Sequence, residues 1–92
     1  MLKTVYSSRC KHQVKRLKKS GKDMDSFYAV LTLLENEIPL PPEYKDHELH
    51  GKLEGTRELH IEPDWLLLYE IFKNELVLHL VSTGTHRNTL RK

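Results

Sequence analysis

The sequence predicts an α+β domain in which two helices lie on one face of a small antiparallel sheet, in the order β-α-α-β-β-β. Apolar residues recur at helical spacing up to Ile38, then in alternating or continuous runs from Arg57 onward. Pro39, Pro41 and Pro42 separate the two regimes, because proline cannot continue a helix.

Leu2 to Tyr6 reads as a short strand, and Ser7-Ser8 as the cap of the helix that follows. In that helix Cys10, Val14 and Leu17 share one side, lysines and Arg16 fill the rest, and Ser20-Gly21 stops it. Asp23 is placed to cap a second helix with Met24, Phe27, Leu31, Leu34 and Ile38 as its apolar stripe. Arg57 to Ile61 alternates, with Leu59 and Ile61 on one face and Glu58 and His60 on the other. Trp65 to Phe72 is nearly continuous apolar sequence, as in a central strand covered on both sides. Lys73-Asn74-Glu75 supplies a polar turn into a last strand, Leu76 to Ser82, and so short a link makes the pair antiparallel.

A chain of 92 residues fills one apolar core, so residues 1–92 are expected to form one domain. Cys10 is the only cysteine, which fits a reducing cytoplasm better than a secreted scaffold. The N-terminus lacks the apolar region of a signal peptide, and no apolar run approaches the roughly 20 residues of a membrane span. A cytoplasmic protein without a membrane partner is the expectation. The net charge is only +2, but residues 1–22 hold eight Lys/Arg and no Asp or Glu. The other seventy residues sum to −6. This asymmetry points the first helix, with Lys11, Lys15, Lys18, Lys19 and Lys22, toward a polyanion such as RNA, although lysines also populate any solvated helix face.

Six histidines are present. His47 and His50 lie in the loop KDHELHGK, His60 on the outward face of its strand, and His86 just beyond Gly84. If the last three strands form a meander, the end of one, the start of the next and the end of the third share one rim of the sheet. That rim would gather His60, Asp64, Trp65 and His86. RNA carries its own nucleophile, the ribose 2′-OH beside each phosphate. Cleaving it requires removal of that proton, protonation of the leaving 5′-oxygen and stabilisation of added negative charge. Histidine, with an unperturbed pKa of about 6.5, suits the first two tasks, and a cation or fixed donor the third. Trp65 offers a ring on which an unpaired base can stack. Singly, each has a plainer reading: His12, His50 and His79 as surface residues, Trp65 as core, Asp64 as a turn residue after Pro63. A metal held by His47, His50, His60 and Asp64 matches no zinc spacing and lacks cysteine ligands, so no metal or cofactor is expected.

The segment KDHELHGKLEGTRELHIEPDWLLLYEI, followed by STGTH, resembles the YafQ group of RelE-like toxins. That group's usual pattern is D-H-x-L-x-G, then G-x-R-(D/E)-x-H-(I/V)-x-P-D-W-L-L-(I/L)-Y, then R-T-G-(S/T)-H. The match runs from Asp46 to His86, and the preceding strand and helical hairpin agree in order. The resemblance implies a toxin of a type II toxin–antitoxin system that cuts messenger RNA in the ribosomal A site without a metal. It implies His47, His60, Asp64 and His86 as the catalytic set, with His86 protonating the leaving oxygen and His60 or Asp64 assisting removal of the 2′ proton. Trp65, Arg57, Arg87, Lys52 and Ser82 fall at the expected substrate contacts, and the lysines of the first helix gain ribosomal RNA as a partner. A DinJ/RelB-like antitoxin is the implied inhibitor, and the complex of the two is expected to bind its own operator DNA.

Two departures bear on activity. Ser82 stands where the group usually has arginine, and Leu90 where an aromatic follows the final histidine. The arginine is the natural stabiliser of phosphorane charge, so Arg57, Arg87 or Arg91 is left to take that role. The alternative reading is an attenuated or non-catalytic protein of the same fold that binds an antitoxin and acts in operator repression.

Overall fold

The computed structural model describes residues 1–85; His86, Arg87, Leu90 and Arg91 lie outside the described residues. Strand β1 (Lys3–Tyr6) passes directly into helix α1 (Ser8–Lys19), and α2 (Asp25–Glu35) follows after a short turn. A 3-10 turn at Pro42–Tyr44 leads to a two-residue strand, β2 (His47–Glu48), and a second such turn lies at Gly51–Leu53. Strands β3 (Arg57–Glu62), β4 (Trp65–Phe72) and β5 (Val77–Gly84) complete the sheet, in the order β1-β5-β4-β3-β2.

The meander is present: β3 pairs antiparallel with β4, and β4 with β5. The all-antiparallel expectation needs correction at one edge, because β1 runs parallel to β5, with Tyr6 opposite Leu80. The sheet is therefore mixed. The cause lies in the connection. The N-cap side chain of Ser7 accepts from the Cys10 amide at 2.9 Å and donates to the Val81 carbonyl at 2.7 Å, so α1 starts beside the end of β5. Strand β2, expected as loop, pairs with β3 along the opposite edge.

The core fills the space between the helices and one face of the sheet. Phe27, Val30, Leu31 and Leu34 from α2 and Cys10 and Val14 from α1 meet Leu59, Leu67, Tyr69, Leu78 and Leu80. Every residue from Trp65 to Tyr69 is buried, as the continuous apolar run requires of a strand covered on both faces. Ile38, expected on the buried stripe, is exposed instead: α2 ends at Glu35, and Glu37 takes a left-handed φ of 54° that turns the chain away. Asp23 Oδ1 accepts from the Asp25 amide at 2.9 Å and so serves the α2 start, although Met24 is the residue at the boundary. Among the described residues no helix is long and apolar enough to cross a membrane.

Burial pushes the Cys10 thiol up from 9.0 to about 12, so the lone cysteine is a core residue rather than a nucleophile. The unfolded chain ionises first as pH rises. Folding stability is thus expected to hold up to about pH 9 and to decline toward about 12, read as a falling Tm. Cys10→Ala is expected to flatten part of that decline; an unchanged slope would leave the thiol out of it.

Candidate functional site

Because β3, β4 and β5 form a meander, the end of β3 and the end of β5 lie on either side of the start of β4. His60 is the register partner of Leu66, and Leu66 the partner of Gly84. His60 and Gly84 therefore stand two strands apart, about 10 Å. Up to the register shift after His60, even-numbered residues of β3 face away from the helices, so Glu58, buried, and His60, half-buried, lie on the far face of the sheet. Opposite Glu58 in the β2–β3 ladder is His47. Two of the four expected catalytic residues thus share this face. Asp64 is exposed in the β3–β4 turn at its rim, and the fourth, His86, lies outside the described residues, two positions beyond Gly84.

The two histidines are held differently. His60 is half-buried, and its Nδ1 lies 3.4 Å from the Pro63 carbonyl, a long contact that leaves Nε2 open among the described residues. A hollow of about 420 Å³, lined by His60, Glu62, Pro63, Tyr44 and Lys45, opens beside it. His47 Nδ1 lies 2.7 Å from the Lys45 carbonyl, and its Nε2 lies 3.2 Å from Glu58 Oε1.

The segment carrying His47 is fixed from the other side of the sheet. The Asp46 carboxylate accepts from Arg57, with one guanidinium nitrogen at 2.9 Å, and from the Tyr69 hydroxyl. Arg57 and Tyr69 are register partners, so β3 and β4 build this clamp together. Tyr69 is fully buried; that burial, with the adjacent carboxylate, pushes its hydroxyl well above the ordinary tyrosine range and keeps it a donor. Lys45, just before the clamp, has a left-handed φ of 50°.

Three residues expected at substrate contacts have their polar groups engaged within the protein. Arg57 is engaged by Asp46 and acts as an anchor. Trp65 is only 4% exposed: its ring stacks on Phe27, with centroids 6.1 Å apart and 7° between planes. Its Nε1 donates to Thr83 Oγ1 at 3.0 Å, so neither its face nor its polar edge is open to a base. Ser82 is buried as well, with Oγ donating to Gln13 Oε1 at 3.1 Å. Gln13 also accepts from the Thr83 amide at 2.8 Å, and Thr83 Oγ1 donates to the Leu66 carbonyl. This relay fastens α1, β4 and β5 at the rim that carries the site. Lys52, by contrast, is exposed on the turn at Gly51–Leu53.

Among the helix lysines, Lys11, Lys15, Lys18 and Lys19 are exposed on α1. Lys22 is less available: its Nζ pairs with Glu62 at 2.9 Å and lies 4.9 Å from the Trp65 ring centroid. A cleft of about 750 Å³ runs between α1 and the end of β5, and Arg9, His12 and Arg16 line it opposite Gly84 and Thr85. Sequence reasoning missed Asp46, Glu58 and Tyr69. Each left a signal: the alternation puts Glu58 on the same face as His60, and Asp46 and Tyr69 stand at the aspartate and tyrosine of the motif that carries the resemblance.

The burial of Ser82 makes an arginine there a packing problem. Ser82→Arg is expected to displace Gln13 and lower stability by about 1–3 kcal/mol, measured by urea unfolding. An unchanged midpoint would mean that the rim opens readily.

Comparison with known proteins gives a consistent result. Residues 2–91 match the family described as "Bacterial toxin of type II toxin-antitoxin system, YafQ". The mRNA interferase toxin YafQ of Escherichia coli K12 is 43% identical over 82 residues, covering 88% of this chain and 87% of that protein. The crystal structure of a metal-bound toxin from Helicobacter pylori superposes with a TM-score of 0.89 at 43% identity, covering 96% of this chain and 98% of that one. A chain of the E. coli DinJ–YafQ complex superposes with a TM-score of 0.85 at 38% identity, covering all of both chains. Among the described residues here, no three His, Cys, Asp or Glu side chains converge as a metal-binding set.

Proposed function

This chain belongs to the YafQ family of bacterial type II toxins, and from that premise we propose that it is an mRNA interferase acting in the cytoplasm on translating ribosomes. The observation that carries the proposal is the placement of His47, Glu58 and His60 on one face of the sheet, at the rim where β5 ends. Cleavage proceeds by attack of the ribose 2′-OH on its own phosphate. His60 is suited to take the 2′ proton, because an Nδ1–H donated to the Pro63 carbonyl leaves the Nε2 lone pair outward. Asp64 at the same rim assists, and His86 protonates the leaving 5′-oxygen. Exposed Lys52 contacts the RNA near the site, and Arg87 from the same tail as His86 is a further phosphate ligand.

The lysines of α1 and the arginine-lined cleft beside Thr85 form the electropositive side of the molecule and contact RNA phosphates of the ribosome. A DinJ/RelB-like antitoxin inhibits the toxin, and the complex binds operator DNA through the antitoxin. The second reading, a non-catalytic partner of the antitoxin, is favoured by the neutral, buried Ser82.

Mapping messenger ends with purified protein separates the two readings. Cleavage that requires ribosomes is expected, and intact messenger under both conditions would favour the second. His60→Ala is expected to lower the cleavage rate by roughly 100- to 10,000-fold while the protein stays folded. A fully active variant would remove His60 from the mechanism.

A further inference from the structure

Gln13 joins α1 to the end of β5, and its amide is held in one orientation. A backbone N–H can only donate, so the atom that meets the Thr83 amide at 2.8 Å is the side-chain oxygen. That oxygen also accepts from Ser82 Oγ at 3.1 Å, which engages both of its lone pairs. The Nε2 amide group therefore points away from these donors. Among the described residues no protein acceptor takes its two hydrogens. Gln13 is half-buried and lines the cleft of about 750 Å³ between α1 and the end of β5.

The other walls of the cleft suit an anion. Arg9, His12, Gln13 and Arg16 follow the i, i+3, i+4, i+7 spacing that shares one side of a helix, over about 10 Å of its length. Facing them, Gly84 presents backbone with no side chain in the way. No Asp or Glu is among the described residues that line the cleft.

We propose that this cleft is a subsite for a phosphodiester group of RNA, with Gln13 Nε2 donating to a phosphate oxygen beside the guanidinium groups of α1. The subsite rests on the RNA-binding reading above and adds the group bound, its donor and the residues that aim that donor. Exposed lysines attract any polyanion from any direction. An amide fixed from behind adds a direction to the attraction, which places a strand rather than merely collecting it. Ser82 and Thr83 are thus positioning residues for Gln13. The small hydroxyl of Ser82 turns the amide outward where a long side chain would displace it. The cleft lies at the end of β5, two strands from His60, so a strand seated in it is held at the rim of the sheet that carries the histidine.

The test uses the full chain and a hexauridylate with 2′-O-methyl groups, a single strand that cannot be cut by 2′-OH attack. The parent is expected to bind it with a shift of the Gln13 side-chain N–H signals in nitrogen NMR. Gln13→Glu keeps the length and the acceptor for Thr83 but replaces the donor by a negative oxygen. It is expected to weaken binding about tenfold or more. Lys73→Gln makes the same change of net charge on the turn between β4 and β5, at the opposite end of the sheet. That variant is expected to stay within about twofold of the parent. Arg16→Gln, at an exposed position, is expected to lose as Gln13→Glu does, so the test does not hang on one variant folding. Losses no greater than that of Lys73→Gln would overturn the proposal, as would Gln13 signals that the strand leaves unmoved. Messengers with a single neutral methylphosphonate near the cut identify the source of the phosphate. If the messenger supplies it, one position lowers single-turnover cleavage as Gln13→Glu does, and the two losses do not add. If ribosomal RNA supplies it, no messenger position does so, and Gln13→Glu raises the ribosome concentration required. A parent that binds the hexamer through Gln13 yet cuts no messenger would sink the nuclease reading and leave the subsite standing.

Discussion

The grip of Arg57 and Tyr69 on the Asp46 carboxylate is the interaction on which the placement of His47 depends. A ladder of only two residues, His47 and Glu48, cannot fix its own register against the entropy of the loops on either side. The clamp does so from the helix side. Tyr69 is fully buried and its hydroxyl needs an acceptor, while Asp46 needs donors, so each meets the other's requirement. Since side chains alternate along a strand, anchoring Asp46 toward the helices sends His47 to the opposite face. A slip of one residue would take His47 away from Glu58 altogether.

The other side of the rim is fastened by neutral groups. Trp65, Thr83 and Gln13 form a relay with each buried polar group satisfied, and the register shift between Leu68 and Tyr69 leaves Val81 as an extra residue in β5. That bulge alters the alternation just before the site, where Ser82 and Thr83 are both buried. Residues far apart in sequence, at the start of β4 and the end of β5, are therefore one structural unit. A large aromatic there supports the face from behind.

What could be read from the sequence follows the reach of periodicity. The alternation of β3 placed Glu58 and His60 on one face, the cap at Ser7 placed α1, and the meander placed His60 near the end of β5. Periodicity carries no information on which partner a side chain finds. Arg57 and Trp65 have residue types common at RNA contacts, yet one is held by Asp46 and the other by Phe27 and Thr83. Strand β2 was invisible because two residues hold no period, and Ile38 kept helical spacing beyond the point where the chain had turned. The role of His86 depends on residues beyond Thr85.

The distribution of charge answers a difficulty that composition raises. Residues 23–92 are net acidic, yet the β3–β4 face must receive a polyanion. Two of its carboxylates meet imidazoles, Glu58 with His47 and Glu70 with His79, while Glu62 pairs with Lys22 beside the Trp65 ring on the helix side. Helix α1, by contrast, keeps four of its lysines exposed to attract an approaching strand. The pairs differ in consequence. Lys22 and Glu62 are partly exposed, so solvent screens their attraction. Glu58 is buried, so its contact with His47 is the one whose loss would leave a buried polar group unpaired. Depth of burial, rather than the number of ion pairs, therefore decides which of these contacts the fold needs.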